Sequence, residues 1–307
     1  MKFRSELSIS KPPFQINHQM SVVAVGSCFA GEIGKKLSDG RFNILVNPFG
    51  TIFNPHSIAS LISDEELHPD LFVKRDENWC HFQLHSDLNH SNQQELKNHI
   101  SEQKKLIQEK LETGDLLILT FGSAWIYKHI GTNEIVANCH KVPQQNFTKE
   151  LLNQEDLKSQ YFALFEKLHR KNPKLKILLT VSPVKYLKDG LHENNLSKSV
   201  LLLLSDFLAK RFDFVHYFPA FELVNDDLRD YRFYKEDLAH PNEQAINYVF
   251  EKFTGAYCCD KTKEIISLSS DIRKLKSHRS ITGADEIHKQ KIGLLEKNLE
   301  DLLKTNG

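Results

Sequence analysis

The sequence predicts an α/β protein built on a doubly wound parallel sheet, with helices on both faces in three α/β/α layers. Three observations carry this reading. Five short segments are continuously apolar and rich in β-branched residues, as strands buried on both faces are. Segments with helical apolar spacing lie between them. Strands alternating with helices close a parallel sheet through crossover connections. A length of 307 residues suits one large domain with an appendage.

The first strand is Val22–Val25. Gly26 and Ser27 end it, and Phe29, Ile33 and Leu37 then repeat every four residues, as one face of a helix does. The second strand is Phe42–Val46. The span from Ser57 to Ser91 fits no strand–helix unit, and its WCHFQLHSDLNH stretch reads as a small hairpin or lid. A polar helix from about Gln93 to Leu111 leads to the third strand, Asp115–Phe121. A second insertion, Lys128 to Phe147, precedes a helix of about Lys149 to Arg170 that carries Leu157, Tyr161, Leu164, Phe165 and Leu168. Lys176–Val181 is strand four, about Asn195 to Lys210 a helix, and Phe212–Phe218 strand five. The last domain helix starts at Pro241, a residue favoured at the first helical position. Five such strands make the flavodoxin-like order the leading topology. Residues 1–256 form the domain. Residues 257–307 form a Lys- and Glu-rich helical appendage, where Ile292, Leu295, Leu299 and Leu302 make a stripe that packs on the domain or joins a second copy as a homodimer.

Composition narrows the function classes. Lys+Arg and Asp+Glu are 40 each, so nothing announces a nucleic-acid or anionic-membrane partner. The longest apolar run, Val200–Leu204, is far too short for a membrane span, and MKFRSELSISKPPFQ lacks the apolar core of a secretory signal. Cys28, Cys80, Cys139, Cys258 and Cys259 form no disulfide framework, so reduced thiols and a cytoplasmic location are expected. Neither Cys139–His140 nor Cys80–His81 with His85 has zinc-ligand spacing; no metal and no cofactor is expected.

In a doubly wound sheet, ligands bind beyond the carboxyl ends of the strands. Ser27 stands there, where strand one becomes a helix. A serine at this point is either an N-cap or a nucleophile close to amides that stabilise an oxyanion. Cys28 beside it is a lesser candidate nucleophile. A hydroxyl nucleophile needs a base, and DLAHP supplies one: Asp237 three residues before His240, able to orient an imidazole. After strand four, Lys185 and His192 stand in a polar group suited to substrate contact or to a solvated loop. Trp79 and Trp125 line a pocket or pack in the core, with core the better expectation for Trp125.

GSCFA at Gly26–Ala30, with NPFGTIFNP, FGSAWIY, VANCHKVP, TVSPVKYLKDGLHENNLSKS and LRDYRFYKEDLAHPNE, resembles the GSCFA-domain family over about Val22 to Phe253. That family is placed with the SGNH/GDSL hydrolases, whose fold is flavodoxin-like and whose members are mostly esterases. The resemblance implies Ser27 as nucleophile and first oxyanion donor, and Asp237 and His240 as its partners. It places the glycine block at Gly50, with Asn47 as rival. The family's asparagine after strand three has no counterpart near Ala124, so Asn47, Asn54, Ser123 or His140 would substitute as oxyanion donor, or backbone alone would serve. The implied activity is hydrolysis of a small acyl ester, such as an O-acetyl group on a carbohydrate or similar alcohol. The rivals are O-acyl transfer by the same triad and a non-catalytic ligand-binding protein.

Overall fold

The computed structural model describes residues 4–277 and 285–304. Its centre is a five-stranded sheet: β1 (Ser21–Gly26), β2 (Asn43–Val46), β3 (Leu116–Phe121), β4 (Lys176–Val181) and β5 (Val215–Tyr217). All neighbours are parallel and the order is β2–β1–β3–β4–β5, the flavodoxin-like arrangement. The longer helices are α1 (Cys28–Asp39), α2 (Pro55–Ile62), α3 (Gln93–Thr113), α4 (Gln154–Lys171), α5 (Leu191–Arg211), α6 (Glu243–Tyr257), α7 (Asp260–Ser277) and α8 (Asp285–Lys304).

Side chains alternate across the pleat, which gives the sheet two cores. Val23 and Val25 point to the layer of α2, α3, α4 and α5, together with Leu117, Leu119 and Leu179. Val22 and Ala24 point to the other layer, where Phe29, Ile33 and Leu37 of α1 meet Ala245, Val249 and Phe253 of α6. Both faces are therefore covered, which is why the strands read as apolar runs.

Several boundaries differ from the sequence expectation, three of them for a visible local reason. The expected helix start at Lys149 is a strand, Phe147–Leu151; α4 begins only after Asn153, whose side chain accepts the amides of Glu155 and Asp156. Pro241 is not the first residue of α6; it bridges to Tyr234, and Asn242 caps the helix by accepting the Ala245 amide. β5 is shorter than Phe212–Phe218, because the Phe212 amide still closes the end of α5 on the Leu208 carbonyl.

The insertions form two small antiparallel sheets. Phe72–Arg75 pairs with Asn78–His81, and Trp125–His129 lies between Glu134–Val136 and Phe147–Leu151. At the far end, Leu295, Leu299 and Leu302 of α8 pack against Ile265, Leu268 and Ile272 of α7 in the same chain. An Arg273–Asp39 ion pair links α7 to the end of α1. No helix among the described residues is long and apolar enough to cross a membrane.

Gly26 ends β1 at φ +147°, where an added Cβ would lie 2.2 Å from the Thr120 carbonyl oxygen. Only glycine fits both the conformation and the space. Gly26→Ala is expected to lower stability by about 2 kcal/mol or more, read as a lower denaturant midpoint at unchanged slope.

Candidate active site

The carboxyl end of β1 delivers Ser27. Its backbone is extended, its amide donates to the Thr120 carbonyl at 3.0 Å, and its carbonyl accepts from Ala30 at 2.8 Å. Ser27 occupies the N-cap of α1, yet its hydroxyl caps nothing. That hydroxyl is buried and has no hydrogen-bond partner. Buried polar atoms are normally paired, and an unpaired one is costly.

Asp237 and His240 share one turn. Asp237 Oδ1 accepts the amides of Ala239 and His240, each at 2.9 Å, and Oδ2 pairs with His240 Nδ1 at 2.6 Å. Leu238 takes a left-handed φ of +56° to close the turn, which is also tied to the loop after β4 by the Lys185 amide donating to the Ala239 carbonyl at 3.0 Å. The two backbone amides, then the imidazole, hold the Asp237 carboxyl down to about 2. An ionised carboxylate keeps the proton on Nδ1 and leaves Nε2 as the basic nitrogen of a neutral ring. Ser27 and His240 line one cleft of about 370 Å³, with Cys28, Phe53, Gly122, Ser182 and Lys185. No hydrogen bond joins the serine hydroxyl to the imidazole in this state.

Cys28, the lesser candidate nucleophile, also lines this cleft. Burial pushes its thiol up, against the opposing pull of the helix-start amides. At neutral pH it is a protonated thiol, a poor nucleophile.

The other expected residues divide by position. Lys185 lines the cleft, its ammonium 4.2 Å from the ring centres of both Tyr231 and Tyr234. Asn54 and Ser123 line an adjoining cavity. Asn54 also caps α2 through the Ser57 amide, and Ser123 receives the Trp125 amide. Gly50, Asn47, His140 and His192 line neither space. Gly50, at φ +73°, packs against His85. Asn47 accepts the Gly26 amide at 2.9 Å, bracing the ends of β1 and β2. His140 is buried with its ring on the His81 carbonyl, and His192 lies exposed on α5. The Ser27 amide, expected as an oxyanion donor, is already committed to Thr120 because the glycine turn folds it back onto β3. Trp125 is not a core residue: it walls the adjoining cavity, its indole donating to the Glu193 carbonyl at 3.0 Å.

One residue escaped the sequence reading. Lys198 is buried beneath the cleft and donates to the carbonyls of Gly122 and Ser182, each at 2.7 Å. It thereby ties the ends of β3 and β4 together next to Ser27, whose Cβ is 3.2 Å from where a Gly122 Cβ would be. Burial pushes its ammonium down to about 7. The signal was present: Lys198 stands on the apolar stripe of α5 with Leu201, Leu204 and Leu208, where a lysine is out of place. Lys198→Met would leave both carbonyls without this donor, one of them buried, and cost about 2–4 kcal/mol. The sign of the pH dependence follows. Between about 7 and the ordinary lysine value the unfolded chain binds the extra proton, so wild-type stability rises with pH across that range. The Met variant should lose that slope in denaturant titrations.

A GSCFA family model matches residues 21–253. The chain belongs to the GSCFA family. No curated protein matches it. Among solved structures it is similar to a carbohydrate esterase family 3 protein from Talaromyces cellulolyticus, at 10% identity and a TM-score of 0.35, over 82% of this chain and 99% of that one. Among the described residues of this GSCFA protein, no group of three or more His, Cys, Asp or Glu is placed to hold a metal ion.

Proposed function

We propose that this GSCFA protein is a serine esterase that cleaves a small acyl ester, with Ser27 as nucleophile, His240 as base and Asp237 as the group that orients it. The observation that carries this is the Ser27 hydroxyl, buried and free of any cap bond, on a residue that lines the same cleft as His240. Evolved cores rarely leave such a group unpaired without a use for it.

In this reading His240 Nε2 takes the serine proton as Oγ attacks the ester carbonyl. The proton then goes to the leaving alkoxide, and water releases the acyl group by the reverse sequence. The oxyanion faces the start of α1, where the Cys28 and Phe29 amides have no partner within the helix. The asparagine donor of the SGNH/GDSL hydrolases is absent from FGSAW, and loss of one such donor costs about 10²–10³ in rate, so slow turnover is expected. The acetyl end of an ester with a carbohydrate or similar alcohol fits a cleft of about 370 Å³. The same triad would serve transfer to a second alcohol, and added alcohol acceptors would expose it as new ester product.

The test is wild-type protein with p-nitrophenyl acetate and a fluorophosphonate probe, the labelled peptide being mapped by mass. Labelling at Ser27 with acetate release is expected. Neither labelling nor hydrolysis would overturn the reading.

A further inference from the structure

Beside the Ser27 cleft lies a second cavity of about 430 Å³, which shares Phe53, Tyr186 and Lys188 with it. The small antiparallel sheet of the second insertion forms one wall, presenting Trp125 and Tyr127. Its charge is one-sided. Lys141, Lys149 and Lys188 line it, and no aspartate or glutamate does. Lys149 is already engaged: it pairs with Asp189 and lies 5.2 Å from the Trp125 ring centre and 5.7 Å from that of Tyr127. Lys141 and Lys188 have no carboxylate partner among the described residues. In the adjoining cleft, the one carboxylate, Asp237, is committed to His240 and two amides.

The chain as a whole carries no net charge, so this concentration is local. The turn that presents Lys141 is built at a cost. His140 and Lys141 are consecutive left-handed residues, at φ +47° and +57°. Such backbone is unfavourable for both residue types and persists only where it is held. It is held here by the His140 amide on Asn138 Oδ1 at 2.9 Å and the His140 ring on the His81 carbonyl at 3.0 Å. His140 is thus a positioning residue for a cavity lysine.

We infer that this cavity binds the alcohol part of the ester, and that this part is an anion: a ring-sized group against Trp125, Tyr127 and Tyr186, whose carboxylate or phosphate meets Lys141 and Lys188. The inference rests on the esterase reading only for which part of the substrate fills the space. Anion binding by the two lysines stands on its own.

The experiment uses acetate esters of one phenol frame: 4-acetoxybenzoate, 4-acetoxyphenyl phosphate and neutral methyl 4-acetoxybenzoate. At low salt at least one anion should exceed the methyl ester in kcat/KM by about tenfold, the scale of two partly exposed charge pairs. The advantage should shrink severalfold in 1 M NaCl, and in K141Q/K188Q the anion-to-neutral ratio should fall towards one. Whichever anion leads tells carboxylate from phosphate. A methyl ester cleaved as well as both anions, or a ratio indifferent to K141Q/K188Q, overturns the inference and leaves the esterase reading intact. Binding is measured separately by calorimetry with 4-hydroxybenzoate and 4-hydroxyphenyl phosphate on Ser27→Ala protein. Salt-sensitive binding weakened about tenfold in the added K141Q/K188Q background supports the anion site even if no ester is cleaved. No binding of either anion overturns it.

Discussion

Ser27→Ala is expected to abolish ester hydrolysis and fluorophosphonate labelling, with kcat falling by roughly 10⁴–10⁶, while the protein stays folded. The asymmetry between activity and stability is the informative part. A serine that served as an N-cap would lose about 1 kcal/mol on truncation. The Ser27 hydroxyl makes no such bond and is buried without a partner, so its removal deletes a desolvated polar group. Stability should therefore be unchanged or slightly higher, and the denaturant midpoint measures it. Cys28→Ala supplies the opposing case. Because burial holds its thiol protonated, it should retain most of the activity. Activity that survives Ser27→Ala and dies in Cys28→Ala would move the nucleophile by one residue.

Asp237→Asn should lower kcat by about 10⁴ with little change in KM. The amide can still accept the Ala239 and His240 backbone amides through its oxygen, so the turn persists. Its NH₂ then faces Nδ1 and forces the proton to Nε2, the nitrogen needed as base. The pH consequence follows the same bond. The Asp237 carboxyl sits at about 2, below the ordinary carboxylate value near 4. Its contribution to holding the turn is complete above that ordinary value and is lost as pH falls through about 2. Asp237 therefore stays charged throughout the neutral range. An acid limb near pH 4–5 that vanishes in Asp237→Asn would contradict this assignment.

Much of this was legible along the chain. Val22–Val25 and Lys176–Val181 read as buried strands because apolar, β-branched runs tolerate no other covered element of that length. Asp237 and His240 were readable as a pair because three residues span one turn, which makes their contact local. Ser27 was readable as a position and ambiguous as a role, since a cap and a nucleophile occupy the same point of a strand–helix turn. The residues whose surroundings are not legible along the chain are those with remote partners. Asn47 and His140 look like free donors in sequence, yet one braces Gly26 and the other the carbonyl of His81. Lys198 stands out on its apolar stripe, but its two carbonyl partners lie after separate strands and no spacing along the chain reveals them.

The doubly wound layers, the strand-end placement of Ser27 and the Asp237–His240 turn are all written in the order of residues along the chain. These depend on periodicity, turn residues and short spacings, all properties of neighbours along the chain. Tertiary structure alone decided that the Ser27 hydroxyl is unpaired, that its amide is spent on Thr120, that Lys198 lies beneath the cleft, and that Lys141 and Lys188 meet at one cavity. A hydrogen bond or a desolvated charge is a fact about atoms within a few ångströms, and only the folded sheet chooses which distant residues those are.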